Sequence, residues 1–331
     1  MNGRRAHGID LLRLLAAVQM ISGHTIDALI APELRTGLAW TNWTILRGLT
    51  AVAFLFASGV SFAMVAAQSP ERRSARVKRA LVLIAISYAL HPPVQAWRDF
   101  FAVDVLACIG VTLLVLEGLA RVSVRGFGVS SGVLGVLVIA AAPLTAPIVA
   151  SGWAMPLLDY VTKSSGSLFP LLPFSGFALL GGSIGTISRP RDPGLRPTWM
   201  LALASVILAI LAGASSVLLP EPSPETYYAW PTASFARIAT VVGLATALTV
   251  ATLRVSALPK WMTTLAGETL FLYVSHLLVL YVAGVGLVRW MGGSLSVPGS
   301  IAVAIALVVA CSLAALAWAR RAKSRAAAKH S

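Results

Sequence analysis

The sequence predicts an all-α protein, a polytopic membrane bundle of about ten transmembrane helices with both termini cytoplasmic. Three observations carry that expectation. Of the 331 residues, 57% are hydrophobic and only 11% are charged, far outside the balance of a soluble domain. Apolar runs of about 20 residues recur along the whole length, each long enough to cross the hydrocarbon layer as a helix. Short alternating segments, the mark of a membrane β-barrel, do not occur. The third observation is the placement of the basic residues. Of 26 Lys and Arg, 19 fall in segments on one side of the expected spans, six on the other, and Arg13 lies within the first span. Such asymmetry orients membrane helices with their basic loops inside.

The expected spans cover residues 9–30, 46–67, 80–97, 101–119, 128–150, 167–187, 199–219, 235–253, 264–288 and 298–319. Longer connections fall at 31–45, 151–166 and 220–234 outside, and at 68–79 and 188–198 inside. The first span carries Asp10, Arg13, His24 and Asp27 and is discussed below. Span 3 ends at His91-Pro92-Pro93, and span 6 opens on FPLLPFSGFALLGGSIG, whose Gly181-Gly182 suits close helix packing. The Pro-rich stretch 220–231 reads as an exposed loop with Tyr227, Tyr228 and Trp230 at headgroup depth. The whole of 1–331 is expected to be one integral-membrane domain, ending in an irregular basic cytoplasmic tail, 320–331. Cys108 and Cys311 fall within spans, so no secreted disulfide framework is expected. The N-terminal segment carries charges within its apolar run and lacks the form of a cleaved signal.

The net charge of +14 follows the topology, and no nucleic-acid partner is expected. Membrane lipids are the expected surroundings, probed by the basic loops. No metal-ligand cluster, phosphate-binding loop or dinucleotide fingerprint occurs in the sequence.

Ionisable side chains at bilayer depth are costly, roughly 2.5–3.5 kcal/mol for an Arg or Asp at a helix centre by insertion scales. They persist where they face a protein interior or a cavity. On a helical wheel with Asp10 at zero, Arg13 falls near −60°, His24 near −40° and Asp27 near −100°, an arc of roughly 100°. Leu11, Leu15, Val18 and Ile26 take the opposite side. Arg13 and His24 stand roughly 16 Å apart along the axis, too far to bond each other but able to line one cavity. His24 alone would also suit an interhelical hydrogen bond; beside Arg13 and Asp27 a functional role is preferred. Asp10 and Arg13, three residues apart, suit an intrahelical pair that eases the burial of both.

Three further clusters accompany this face. Residues 72–79 hold five cations, Arg72, Arg73, Arg76, Lys78 and Arg79. They suit phosphate binding, and equally a plain topology signal. Span 9 places Thr269, Tyr273 and His276 at i, i+4 and i+7, one polar stripe on an apolar helix. Span 3 places Tyr88 and His91 on one face. Three function classes fit these residues: an enzyme working across the bilayer, a transporter or proton-coupled exporter using the Asp/Arg/His face as a relay, or a non-catalytic membrane partner within a cell-envelope assembly.

The opening RRAHGIDLLRLLAAVQMISGHTIDAL resembles the first helix of the integral-membrane acyltransferases, in which an Arg is followed after ten residues by a His. AFLFASGVSFAM, RRSARVKR, DVLACIGVTLL, FPLLPFSGFALLGGSIG and GETLFLYVSHLLVLY follow in order. Together they are similar to the heparan-α-glucosaminide N-acetyltransferase-like branch, over spans 1–6 and 9. Ala107 stands where some relatives of that branch carry a His. The resemblance implies transfer of an acyl group, usually acetyl, from cytoplasmic acetyl-CoA or another acyl-CoA to an amine or hydroxyl of a sugar or glycan acceptor. It implies a bacterial inner (plasma) membrane enzyme of the cell envelope, compatible with a homo-oligomer and using no metal. His24 matches the catalytic histidine, as general base or transient acyl carrier, with Asp27 orienting it or helping to bind the acceptor. Arg13, Arg76 and Arg79 are the donor-binding candidates. Asp10, Tyr88, His91, Tyr273 and His276 are the acceptor-binding candidates.

The basic asymmetry makes one direct prediction. A single thiol introduced at Ser69 should resist membrane-impermeant reagents in sealed cells, whereas one in 220–234 should react; labelling at Ser69 from outside would invert the topology.

Overall fold

The structure, a computed structural model, describes residues 7–90, 102–122, 126–148, 154–163, 166–187, 196–220, 222–223, 226–282 and 286–328. Among these the architecture is all-α, with one isolated bridge between Ile30 and Leu295. Thirteen helices follow in order: α1 (His7–Leu29), α2 (Gly37–Gln68), α3 (Arg73–Leu90), α4 (Val105–Val122), α5 (Phe127–Thr145), α6 (Met155–Leu158), α7 (Leu171–Ile187), α8 (Arg196–Leu218), α9 (Pro231–Ala251), α10 (Lys260–Gly267), α11 (Thr269–Tyr281), α12 (Leu287–Met291) and α13 (Val297–Ala328). Among the described residues, seven are long and apolar enough to cross a membrane, and counting the bent pair α10–α11 as one broken span gives eight. A helix also lies over each remaining expected segment, as α3 and α7. The chain is an integral membrane protein.

Four boundaries differ from the sequence expectation. The outer loop expected over 31–45 is largely helical, because α2 begins at Gly37, whose φ of +77° suits a residue without Cβ. Its polar first turns are stabilised from within: the Thr41 hydroxyl donates to Gly37 O at 3.2 Å and that of Thr44 to Thr41 O at 2.8 Å. The helix over 80–97 instead starts at Arg73, so the basic run is itself helical. The expected span 264–288 is broken by a 70° bend between α10 and α11. The C-terminal tail, expected to be irregular from 320, continues helical to Ala328, as its Ala-, Lys- and Arg-rich composition favours.

The chain's contacts gather into two compact units: residues 1–50 with 247–331, and residues 51–246. In the first, α1 packs against α10, α11 and α13. Leu12, Ala17, Ile21 and Leu29 are fully buried, while Leu15 and Val18 of the opposite side remain open. The last carbonyls of a helix have no partner of their own. Here Ala28 O accepts from Gly293 N (3.1 Å) and Leu29 O from Leu295 N (2.9 Å). The Arg35 guanidinium donates to Asp27 O (2.9 Å) and Ile30 O (3.1 Å). This end of α1 is therefore tied down within the protein.

In the second unit α7 packs between α5 and the later half of α2, and glycines set the distance. A Cβ on Gly59 would run into the Ala178 carbonyl, one on Gly181 into the Phe56 carbonyl, and one on Gly185 would lie 2.9 Å from Val60 Cα. Toward α5, Gly135 and Gly176 face each other's carbonyls and the Ser131 hydroxyl donates to Leu179 O at 2.6 Å. Apolar helices gain nothing from being pulled out of lipid, so they associate through such close backbone packing. Phe62, Ala63, Leu116, Phe127 and Leu179 form a core around it.

Gly59→Val should therefore lower the melting temperature and folded yield in detergent by an overpacking cost at or above the usual range of about 1–3 kcal/mol. Gly118→Ala, where a Cβ meets nothing within 4 Å, should leave both unchanged or slightly improved. Equal behaviour of the two variants in thermal unfolding would show that close packing at Gly59 is dispensable.

Candidate functional site

The polar face of α1 and the polar stripe of α11 meet. The Arg13 guanidinium donates to the Thr269 hydroxyl at 3.3 Å, and His24 Nδ1 lies 2.9 Å from His276 Nε2. Because Arg13 pairs with the start of α11 and His24 with its later part, the two helices run in the same direction. Eleven residues of α1 cover roughly 16 Å and seven of α11 roughly 10 Å. The long Arg13 side chain takes up the difference.

The protons of the two imidazoles follow from their partners. His276 is fully buried, and its Nδ1 lies 2.8 Å from the carbonyl oxygen of Leu272, one turn earlier. A carbonyl only accepts, so Nδ1 of His276 carries a proton. In a neutral ring Nε2 then accepts, and the matching donor is Nδ1–H of His24. Nε2 of His24 is left with its lone pair, and among the described residues no hydrogen bond reaches it. The rings stand 5.1 Å apart at 35°, and Tyr273 packs edge-on against His276 at 5.8 Å. The 70° bend just before Thr269 sets the direction in which this stripe points.

Asp27 is engaged on the other flank. Its carboxylate forms an ion pair with Arg47 and accepts from Trp43 Nε1 at 3.2 Å. Gly23 leaves room for the aliphatic stem of Arg47, which would lie 3.3 Å from a Cβ there. Arg47 and Trp43 were not among the sequence candidates. Placing the start of span 2 at residue 46 put Arg47 at a helix mouth, whereas it stands ten residues inside α2. An arginine with a tryptophan four residues earlier on a long helix was the available signal. Asp10 and Arg13 are both partly buried on α1. A separate cavity of about 430 Å³ lies on the far side of α1, lined by Gln19, Ser22, Ile26, Trp40, Trp43 and Ile301 among others, and does not include either histidine.

The remaining candidates belong to the second unit. Arg76 forms a two-pronged bond with the buried Glu117 of α4, Nε to Oε2 at 2.7 Å and Nη2 to Oε1 at 3.0 Å. Its Nη1 donates to Ser69 O at 2.7 Å. Arg73 joins from 3.5 Å. Cations in the first turns of a helix oppose its dipole, and the Glu117 carboxylate offsets this. Arg79 is exposed. The Tyr88 hydroxyl meets the Tyr160 hydroxyl at 2.7 Å. Burial first, and then the bond to Tyr88, push the Tyr160 phenol above its ordinary value. Asp104 is buried as the N-cap of α4, accepting from Ala107 N at 2.9 Å and from the Ser87 hydroxyl. His91 lies outside the described residues.

Arg76→Gln should destabilise the protein by about 3–5 kcal/mol, since it strands a buried carboxylate. Arg79→Gln should be neutral in the same thermal unfolding measurement; equal losses would mean that Glu117 does not depend on Arg76.

Among the described residues no group of three or more His, Cys, Asp or Glu could hold a metal ion. In comparison with known proteins, residues 5–208 match the family described as heparan-alpha-glucosaminide N-acetyltransferase, catalytic. No curated protein matches the chain.

Proposed function

Since this chain belongs to the heparan-α-glucosaminide N-acetyltransferase catalytic family, we propose that it transfers an acetyl group from acetyl-CoA to an amine or hydroxyl of a sugar or glycan, with His24 as general base. One observation supports the role above all: the hydrogen bond to His276 leaves a bare lone pair on His24 Nε2. An attacking amine or hydroxyl gives its proton to that nitrogen as its heteroatom bonds to the thioester carbonyl carbon. The C–S bond then breaks, and the proton passes from Nε2 to the departing thiolate, releasing coenzyme A as the free thiol. His276 accepts from Nδ1–H throughout and stabilises the imidazolium that forms between the two steps.

Asp27 acts through position. Its carboxylate, held by Arg47 and Trp43, keeps negative charge one turn from the imidazole. Arg79, exposed in the second unit, is a candidate for the phosphates of the donor, and Arg13 is a separate candidate within the first. Arg76 supports its helix through Glu117, so its part in donor binding is indirect. Asp10 and Tyr273 remain candidates for holding the acceptor, as does Tyr88 in its own unit.

The test is turnover per folded molecule with labelled acetyl-CoA and an amino sugar. His24→Ala should lose about 10²–10⁴ in rate while keeping its affinity for acetyl-CoA. His276→Ala should lower kcat and leave KM for the donor near parental, and Asp27→Asn should be milder than His24→Ala. Near-parental turnover in folded His24→Ala would remove the base assignment. Failure of the parent to transfer acetyl to any amino sugar or hydroxyl acceptor, together with movement of a solute across vesicles, would favour the transporter reading.

A further inference from the structure

Among the described residues, two cations of the second unit have no acidic partner. Lys163, between α6 and α7, and Arg237, in the second turn of α9, are each partly buried, and among the described residues no carboxylate lies within ion-pair distance of either. Aromatic faces are what they touch. Lys163 Nζ stands 4.5 Å from the Tyr228 ring centre and 5.6 Å from that of Phe174. Arg237 Cζ stands 5.7 Å from the Tyr227 ring centre. Tyr227 and Tyr228 are adjacent in one short turn (Tyr227–Ala229), so both cations flank that turn. Burial first, and then the charge of Arg237, hold the Lys163 ammonium below its ordinary value.

Two like charges drawn partly out of water cost free energy, and a cation–π contact returns only about 0.5–2 kcal/mol each. In the same unit the partly buried Arg76 is answered by the carboxylate of Glu117, and in the first unit the partly buried Arg35 by two backbone carbonyls. Here, among the described residues, no acid answers either cation. We propose that Lys163 and Arg237, with the Tyr227–Tyr228 turn as an aromatic wall, form a binding site for a phosphate group. A planar carboxylate is saturated by one arginine fork. A tetrahedral phosphate offers oxygens in separate directions to a fork and to an ammonium point charge. The phosphate belongs either to a lipid headgroup, since tyrosines gather at headgroup depth, or to a soluble phosphorylated ligand. This site is independent of the chemistry at His24.

The experiment uses the full-length protein in neutral detergent, stripped of lipid. Thermal unfolding is followed as inorganic phosphate replaces chloride at constant ionic strength, and in parallel as phosphatidylglycerol or phosphatidylcholine is added to the micelles. A saturable rise in Tm with phosphate supports a soluble ligand. A rise with phosphatidylglycerol alone supports a lipid headgroup. In either case Lys163→Gln and Arg237→Gln should each weaken the response about tenfold to hundredfold. Without any anion both variants should melt at or above the parental temperature, because one of two opposing charges has gone. No rise in the parent with either ligand, an undiminished rise in both variants, or a lower anion-free Tm in both variants would overturn the site, the last by assigning the cations to structural packing.

Discussion

A hydrogen bond between two imidazoles, His24 on α1 and His276 on α11, is the interaction on which the rest of the candidate site depends. It holds only because several separate features agree. The α1 and α11 helices must run in the same sense, the bend at Glu268 must aim the stripe of α11 at α1, and the far end of α1 must be fixed. The last condition is met by backbone donors at Gly293 and Leu295 and by Arg35, which together take the otherwise unpaired carbonyls of the helix end. A helix so anchored has little freedom to rotate or slide. That matters because one residue of rotation, about 100°, would carry His24 off the seam.

The two units solve the same problem in different ways. Each must bring helices together inside an apolar medium where burial of Leu or Val against a neighbour gains little over contact with lipid. In the first unit polar side chains meet across α1 and α11, with Asp27, Arg47 and Trp43 forming a second polar contact to the opening turns of α2. In the second unit small residues on α7 allow backbone-to-backbone approach to α2 and α5, and one buried acid, Glu117, gathers Arg73 and Arg76. The contrast bears on function. A glycine interface is a fixed surface, whereas a seam of titratable and hydrogen-bonding groups can hold or pass a proton.

The fate of the sequence candidates follows the same physics. His24, Arg13 and His276 were recognisable because an ionisable or polar residue inside an apolar run stands out, and helical periodicity assigns it a face. Arg76 was recognisable too, but its chemistry was not: a cluster of cations looks alike whether it awaits phosphate or already holds Glu117, an acid 41 positions away. Arg47 is hard to assign from sequence because Thr41, Asn42 and Thr44 give the first nine positions of α2 the look of a loop.

Hydrophobic run length, the bias of basic residues and the ordered motifs by themselves determined that this is an all-α membrane protein of an acyltransferase family, with His24 on a polar face of its first helix. These properties are local, or sum over the chain, and need no knowledge of what packs against what. Only the tertiary structure decided which imidazole nitrogen bears the proton, since that depends on a carbonyl at Leu272 and on a helix 252 positions distant in sequence. It alone decided that Arg76 is engaged by Glu117, while Lys163 and Arg237 face aromatic rings. Charge is written in the sequence, but the partner that answers it is chosen by packing.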